Sequence, residues 1–196
     1  MSVKKEPSGR RSVQLEVEVP VGTPSAAERR AVEAQVRTLI DKFAPEHLRL
    51  VSAMRKSLRK RLPTANEVVY EYSNQGAVVI SFSPSEHGYE GVLAIRASAD
   101  GVKLYFNQGK DLPDPEKLLQ GSSQTRFINM EGASTLSRPA VVRLIDEAIA
   151  RNPVPFASAG RGSVVIRAAS FKKPRPKLHA VSPDKAVVVH RQRSGQ

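Results

Sequence analysis

Between Pro63 and Phe106 the chain runs through four successive segments of alternating apolar and polar residues, and this pattern limits the fold more than any other feature. Val68, Tyr70 and Tyr72 alternate first, then Val78, Ile80 and Phe82, then Leu93 and Ile95, and finally Val102, Leu104 and Phe106. A period of two is the signature of a strand with unlike faces. The connections are Ser73-Asn74-Gln75-Gly76, Pro84 to Gly88 and Asp100-Gly101, residue types that reverse the chain over short distances. Short reversals between consecutive strands predict antiparallel neighbours, so a meander is expected.

Helical spacing flanks this block. Val32, Val36, Leu39, Ile40 and Phe43 form an apolar stripe from Ala26 to Phe43, with Ser25 placed to cap the first turn. Pro45 suits the first turn of a second helix, striped by Leu48, Val51, Met54, Leu58 and Leu62 and stopped by Pro63. Asp114-Pro115 predicts a short helix through Leu118 and Leu119 with Gly121 beyond its end, and Thr125 to Met130 resumes as strand. Ser137 is expected to cap a last helix that has Pro139 in its first turn and Val141, Val142, Leu144, Ile145, Ala148 and Ile149 along its apolar side. A final strand is expected over Ser163 to Ala168, with Val164 and Ile166 inward. Val13 to Val19 reads as a short strand or an extended arm.

The expected architecture is α+β: an antiparallel sheet of about five to six strands with helices packed on it. Residues 1–24 form an N-terminal arm, 25–177 the folded domain, and 178–196 a basic tail. With 196 residues the chain is suited to one core. It has no cysteine, which removes disulfides, thiolate chemistry and Cys-based zinc sites and fits a reducing compartment. The polar N-terminus and the lack of any long apolar run predict a cytoplasmic protein without a membrane partner.

The formal net charge is +12. Residues 25–152 hold 18 Lys and Arg against 15 Asp and Glu, whereas residues 153–196 hold 9 against 1. By that distribution the tail carries the excess, and the body is not expected to present a face that neutralises phosphates.

Several runs resemble the YdhG-like family, a domain of unknown function. They are Leu62-Pro63 with Glu67-Val68-Val69-Tyr70, then FSPSEHGYEGVLAI, VKLYFNQGKDLPDPEKLLQGSSQTR and LSRPAVVRLIDEAI, and last GSVVIRAAS before a basic KKPRPK. The resemblance implies helices packed on an antiparallel sheet, in agreement with the residue pattern, and in broad architecture a frataxin-like fold. One branch of the family is described as an intracellular iron chaperone, so iron binding is the first alternative function. Such a site needs gathered oxygen ligands. The first helix instead mixes Glu28, Glu33 and Asp41 with Arg29, Arg30, Arg37 and Lys42. Glu67 and Glu71 would stand about 13 Å apart on one strand, too far to share an ion, and are expected on a solvated face.

Glu86, His87 and Glu90 are the remaining metal candidates, being carboxylates and an imidazole within one turn. Asp111, Asp114 and Glu116 form a second acidic candidate, against which Asp114 before Pro115 is accounted for by helix capping and Glu116 by the helix dipole. The main ligand candidate is the polar segment Asn107, Gln120, Gly121, Ser122, Ser123 and Arg126, whose amides, hydroxyls and guanidinium could hold a carboxylate or phosphate. Arg126 is also in phase with Ile128 and Met130, so it could equally satisfy buried carbonyls and lock the Gly121 turn.

The cations from Arg55 to Arg61 fit the C-terminal end of a helix and its solvated outer face. Arg161, Arg167, Lys172, Lys173, Arg175, Lys177, Arg191 and Arg193 could bind nucleic acid without sequence preference, which is the second alternative. No P-loop, dinucleotide fingerprint or nucleophile elbow occurs. The chain is therefore expected to be a non-enzymatic binding domain with no cofactor, whose partner is a small anion or a protein.

Overall fold

The computed structural model describes residues 24–168, and the segments expected as an N-terminal strand (Val13 to Val19) and a basic tail lie outside them. Two helices open the fold, α1 (Ala26–Ile40) and α2 (Pro45–Arg61). Ser25 caps α1 in a reciprocal box: its hydroxyl accepts from the Glu28 amide, and the Glu28 carboxylate accepts from the Ser25 amide. Pro45 occupies the first turn of α2, where a missing N–H costs nothing.

The meander follows as β1 (Asn66–Tyr72), β2 (Ala77–Ser83), β3 (Leu93–Ser98) and β4 (Gly101–Phe106), each antiparallel to the one before. β5 (Arg126–Asn129) extends it beyond β4. Helix α3 (Pro139–Ala150) then leads to β6 (Val164–Ala168). The spatial order is β5-β4-β3-β2-β1-β6.

β6 corrects the expectation of an antiparallel sheet, because it pairs with β1 in parallel and makes the sheet mixed. Its register is set by contacts that no local pattern encodes. Asn66 Oδ1 accepts from both the amide and the hydroxyl of Ser163, at 3.0 and 2.8 Å, and the Gly162 amide donates to Pro63 O at 3.0 Å. A Cβ on residue 162 would lie 1.8 Å from the Ala65 carbonyl oxygen, so only glycine allows the two chains so close.

Two further local expectations are corrected. No helix forms from Asp114 to Leu119; the Asp114 carboxylate instead accepts from the Leu118 and Leu119 amides at 3.0 and 2.7 Å, closing a loop in which Lys117 takes φ 54°. Asp114 does cap, but it caps a turn, because the left-handed residue stops helical propagation. Ser137 belongs to a short 3-10 turn (Ala133–Ser137), and the residue before α3 is Arg138 with no side-chain cap.

The core occupies one side of the sheet. Val36 and Ile40 of α1, Val51, Met54 and Leu58 of α2, and Val141, Leu144 and Ile145 of α3 share one cluster with Val69, Ile80, Phe82, Leu93, Ile95, Leu104 and Phe106. Alternation sends the residues between these to the opposite face, where among the described residues the loop from Pro84 to Gly91 folds back onto the β1–β2 end.

Candidate functional site

In the segment expected to hold an anion, most of the polar groups are engaged within the protein, either with the segment itself or with its neighbours Gly91, Phe127 and Asn129. Arg126 lies on the core side, as its phase predicts, and its guanidinium donates to the Ser123 carbonyl. Its Cβ packs where a side chain on Gly109 would lie, 2.5 Å away. Asn107 donates its side-chain amide to Gly91 O, and Ser123 Oγ donates to Thr125 O at 2.9 Å. Gln120 forms a two-way backbone bridge with Phe127 and accepts from Asn129 at 3.0 Å. Gly121 takes φ 99° at the turn, and Ser122 is exposed. The six residues are brought together, but as a self-satisfied loop. Two shallow clefts, of about 660 Å³ between α1 and α2 and about 470 Å³ beside the start of α2, have none of them in their walls.

The loop around His87 holds its three metal candidates apart. Glu90 accepts from Ser85 Oγ, Glu86 faces Arg167 at 3.9 Å, and the His87 ring stacks on Tyr89 with centroids 5.3 Å apart. Among the described residues no three His, Asp or Glu side chains are gathered as a metal would require.

What the sequence pattern misplaced is charge. Glu67, expected on a solvated face, is only 2% exposed and lies on the helix side in phase with Val69. Its carboxylate accepts from Arg55 Nε at 2.6 Å and from Arg59 Nε. Glu33 of α1 completes the group, 3.0 Å from Arg55 Nη1 and 2.5 Å from Arg59 Nη2. The basic run of α2 thus turns two of its arginines inward, because a buried carboxylate needs paired donors. Burial pushes the Glu33 carboxyl up, but the guanidiniums of Arg55 and Arg59 outweigh it and hold Glu33 below the ordinary value of 4.5. For Arg59, burial pulls downward and is outweighed by Glu67 and Glu33, so its charge is strengthened. Glu71, on the same side as Glu67, pairs with Lys42.

With these carboxylates drawn to the helix side, the opposite face has none among its described strand residues, and the carboxylates near it, Asp100 and Glu86, lie in the connections at its rim. Its strand residues fall into rows across the sheet. One row reads Phe127, Tyr105, Ala94, Ser81, Val68, Val165, and the next Asn129, Lys103, Arg96, Val79, Tyr70, Arg167. Among the described residues no outward-facing strand position is Asp or Glu, whereas Lys103, Arg96 and Arg167 are cationic. Six strands span about 24 Å between the outermost. Tyr105 and Phe127 sit with centroids 5.3 Å apart at 36°, and Tyr70 and Tyr72 at 6.2 Å. Lys103 Nζ lies 4.9 Å from the Phe127 centroid, a cation–π distance.

At the rim, Asp100, 69% exposed, stands 3.9 Å from both Arg96 and Lys103, whose side chains are about one-fifth exposed, and Glu86 stands 3.9 Å from Arg167. Burial, then the neighbouring Tyr70, push the Tyr72 phenol above its ordinary value and keep it neutral. Tyr89, 79% exposed, projects from the loop that folds onto this face. Within single strands the sequence sets Tyr70 in phase with Tyr72 and Lys103 in phase with Tyr105, but which strand phases share a face follows from the register between strands. Comparison of the chain with protein-family models, with curated proteins and with solved structures finds no match.

Proposed function

We propose that this protein is a non-enzymatic binding domain whose working surface is the outer face of the sheet, and that its ligand is a polyanion. The observation that carries the reading is the segregation of charge, with no carboxylate among the outward strand residues and a cationic row of Lys103, Arg96 and Arg167 crossing them. A surface of one sign concentrates ligands of the other through the summed field, even where each cation is weak alone. β6 adds Arg167 to the row at the sheet edge, paired with Tyr70.

The loop from Asn107 to Arg126 takes second place because Asn107, Ser123 and Arg126 each already donate to a backbone carbonyl, of Gly91, Thr125 and Ser123 respectively. Iron binding through Glu86, His87 and Glu90 has no gathered ligand set behind it. Placing the chain with the YdhG-like family rests on the ordered run of motifs in its sequence.

The test is a titration of the full-length, isotope-labelled protein with heparin, followed by amide chemical shifts. Shifts should cluster on β3, β4 and β5, and Arg96→Gln with Lys103→Gln should weaken binding. Shifts confined to Asn107–Arg126, or no binding, would overturn the reading.

A further inference from the structure

Resting on the sheet-face reading above, we infer that the polyanion is single-stranded nucleic acid, its bases laid on the Tyr105–Phe127 pair and its phosphates on Lys103 and Arg96. Polyanions differ in what they carry besides charge. Heparin and lipid headgroups offer nothing flat and apolar, and a duplex hides its base faces in the stack. An unpaired base exposes a π-face, and aromatic side chains on a sheet are a common platform for it.

The geometry matches that ligand. Tyr105 and Phe127 are directly paired across β4 and β5, half-buried and therefore fixed in place, which lowers the ordering cost of binding. Lys103 is two residues from Tyr105 on the same strand, so its ammonium and the ring lie on one face about 7 Å apart along the backbone. That places a cation one nucleotide's width from a stacking surface. Ala94, which opposes Tyr105 in the row, is small and buried, so it puts no large side chain beside the ring. Lys103 now rests over Phe127, and an arriving base can take the ring while the ammonium moves to the phosphate. Few amide side chains accompany these rings, Asn129 being the one in the cationic row, so base edges are little read and binding is expected to tolerate sequence.

The experiment measures fluorescence anisotropy with the full-length protein and a labelled oligo(U) of about 20 nucleotides, long enough to exceed the site sizes usual for such platforms. A duplex of equal length and heparin serve as competitors. Tyr105→Leu and Phe127→Leu keep apolar bulk but remove the ring. Each should weaken oligo(U) binding about tenfold and leave heparin binding unchanged, while Tyr105→Phe should retain affinity. Lys103→Gln should reduce the slope of log affinity against log salt by about 0.7. Thermal melts establish that each variant is folded, and the Phe127 variant stands in if the Tyr105 variant is not.

If oligo(U) binds no more tightly than duplex or heparin and the leucine variants match wild type, the nucleic-acid inference fails while the polyanion reading stands. If Arg96→Gln and Lys103→Gln also change nothing, the face is not the binding surface and both fail; binding carried by the basic tail or by an acidic protein elsewhere would show itself in this way.

Discussion

Replacing Glu67 with glutamine should destabilise the domain by about 3–5 kcal/mol, the range for breaking a buried ion pair from one side. Glu67 is 2% exposed and accepts from both Arg55 and Arg59. Glutamine keeps the shape but offers one acceptor where two oxygens worked, and turns an NH₂ toward a guanidinium. Arg55, with an 11% exposed side chain, would then depend on Glu33 alone, and its Nη2 already lacks a hydrogen-bond partner among the described residues. Against a total stability of about 5–15 kcal/mol the loss is large.

The assay is urea unfolding followed by far-UV circular dichroism, since the chain has no tryptophan. With an m-value of about 2 kcal/mol per molar, the midpoint should fall by about 2 M. Arg55→Met combined with Glu67→Leu should cost less than the two single changes summed, by about 1 kcal/mol or more, because removing both charges leaves no stranded ion. A Glu67→Gln unfolding free energy within about 0.5 kcal/mol of wild type, the usual effect at a solvated position, would refute the placement of this side chain.

Other outcomes follow from single contacts. Acidification should cost stability through Glu33: its folded pKa lies below 4.5, so its contribution is complete above 4.5 and lost as pH falls through the folded value. Glu33→Gln should accordingly flatten the acid limb of urea midpoints measured against pH. Ser25→Ala should cost about 1 kcal/mol by removing the capping box, read as a lower melting temperature and faster amide exchange in the first turn of α1. Gly162→Ala should force β6 from β1, since backbone and not a flexible side chain lies 1.8 Å from the new Cβ. Unchanged exchange protection at the Glu67 amide, which donates to Ser163 O at 2.8 Å, would contradict that.

Much of the fold is written locally. A period of two broken by reversing turns yields the meander, and helical spacing with Ser25 and Pro45 in place yields α1 and α2. These follow from steric and hydrogen-bonding preferences acting over a few residues, so a single segment carries them. At Asp114 the local reading failed, since one carboxylate can cap a helix or close a turn equally well and the backbone at Lys117 decided.

Three things were settled only by tertiary structure. β6 joins β1 in parallel through atoms almost a hundred positions apart in sequence, a pairing that no window on the chain contains. In β1, apolar residues stand on both faces, at Val68 and Val69, so alternation defines two faces without saying which is inside; pairing with the apolar faces of β2, β3 and β4 places Glu67 under the helices, where Arg55, Arg59 and Glu33 satisfy it. That arrangement leaves no carboxylate among the described outward strand residues of the candidate surface. Sequence fixes how many charges a chain has and how often they recur, but where they face depends on which side of the sheet is buried, and burial is a property of the packed molecule.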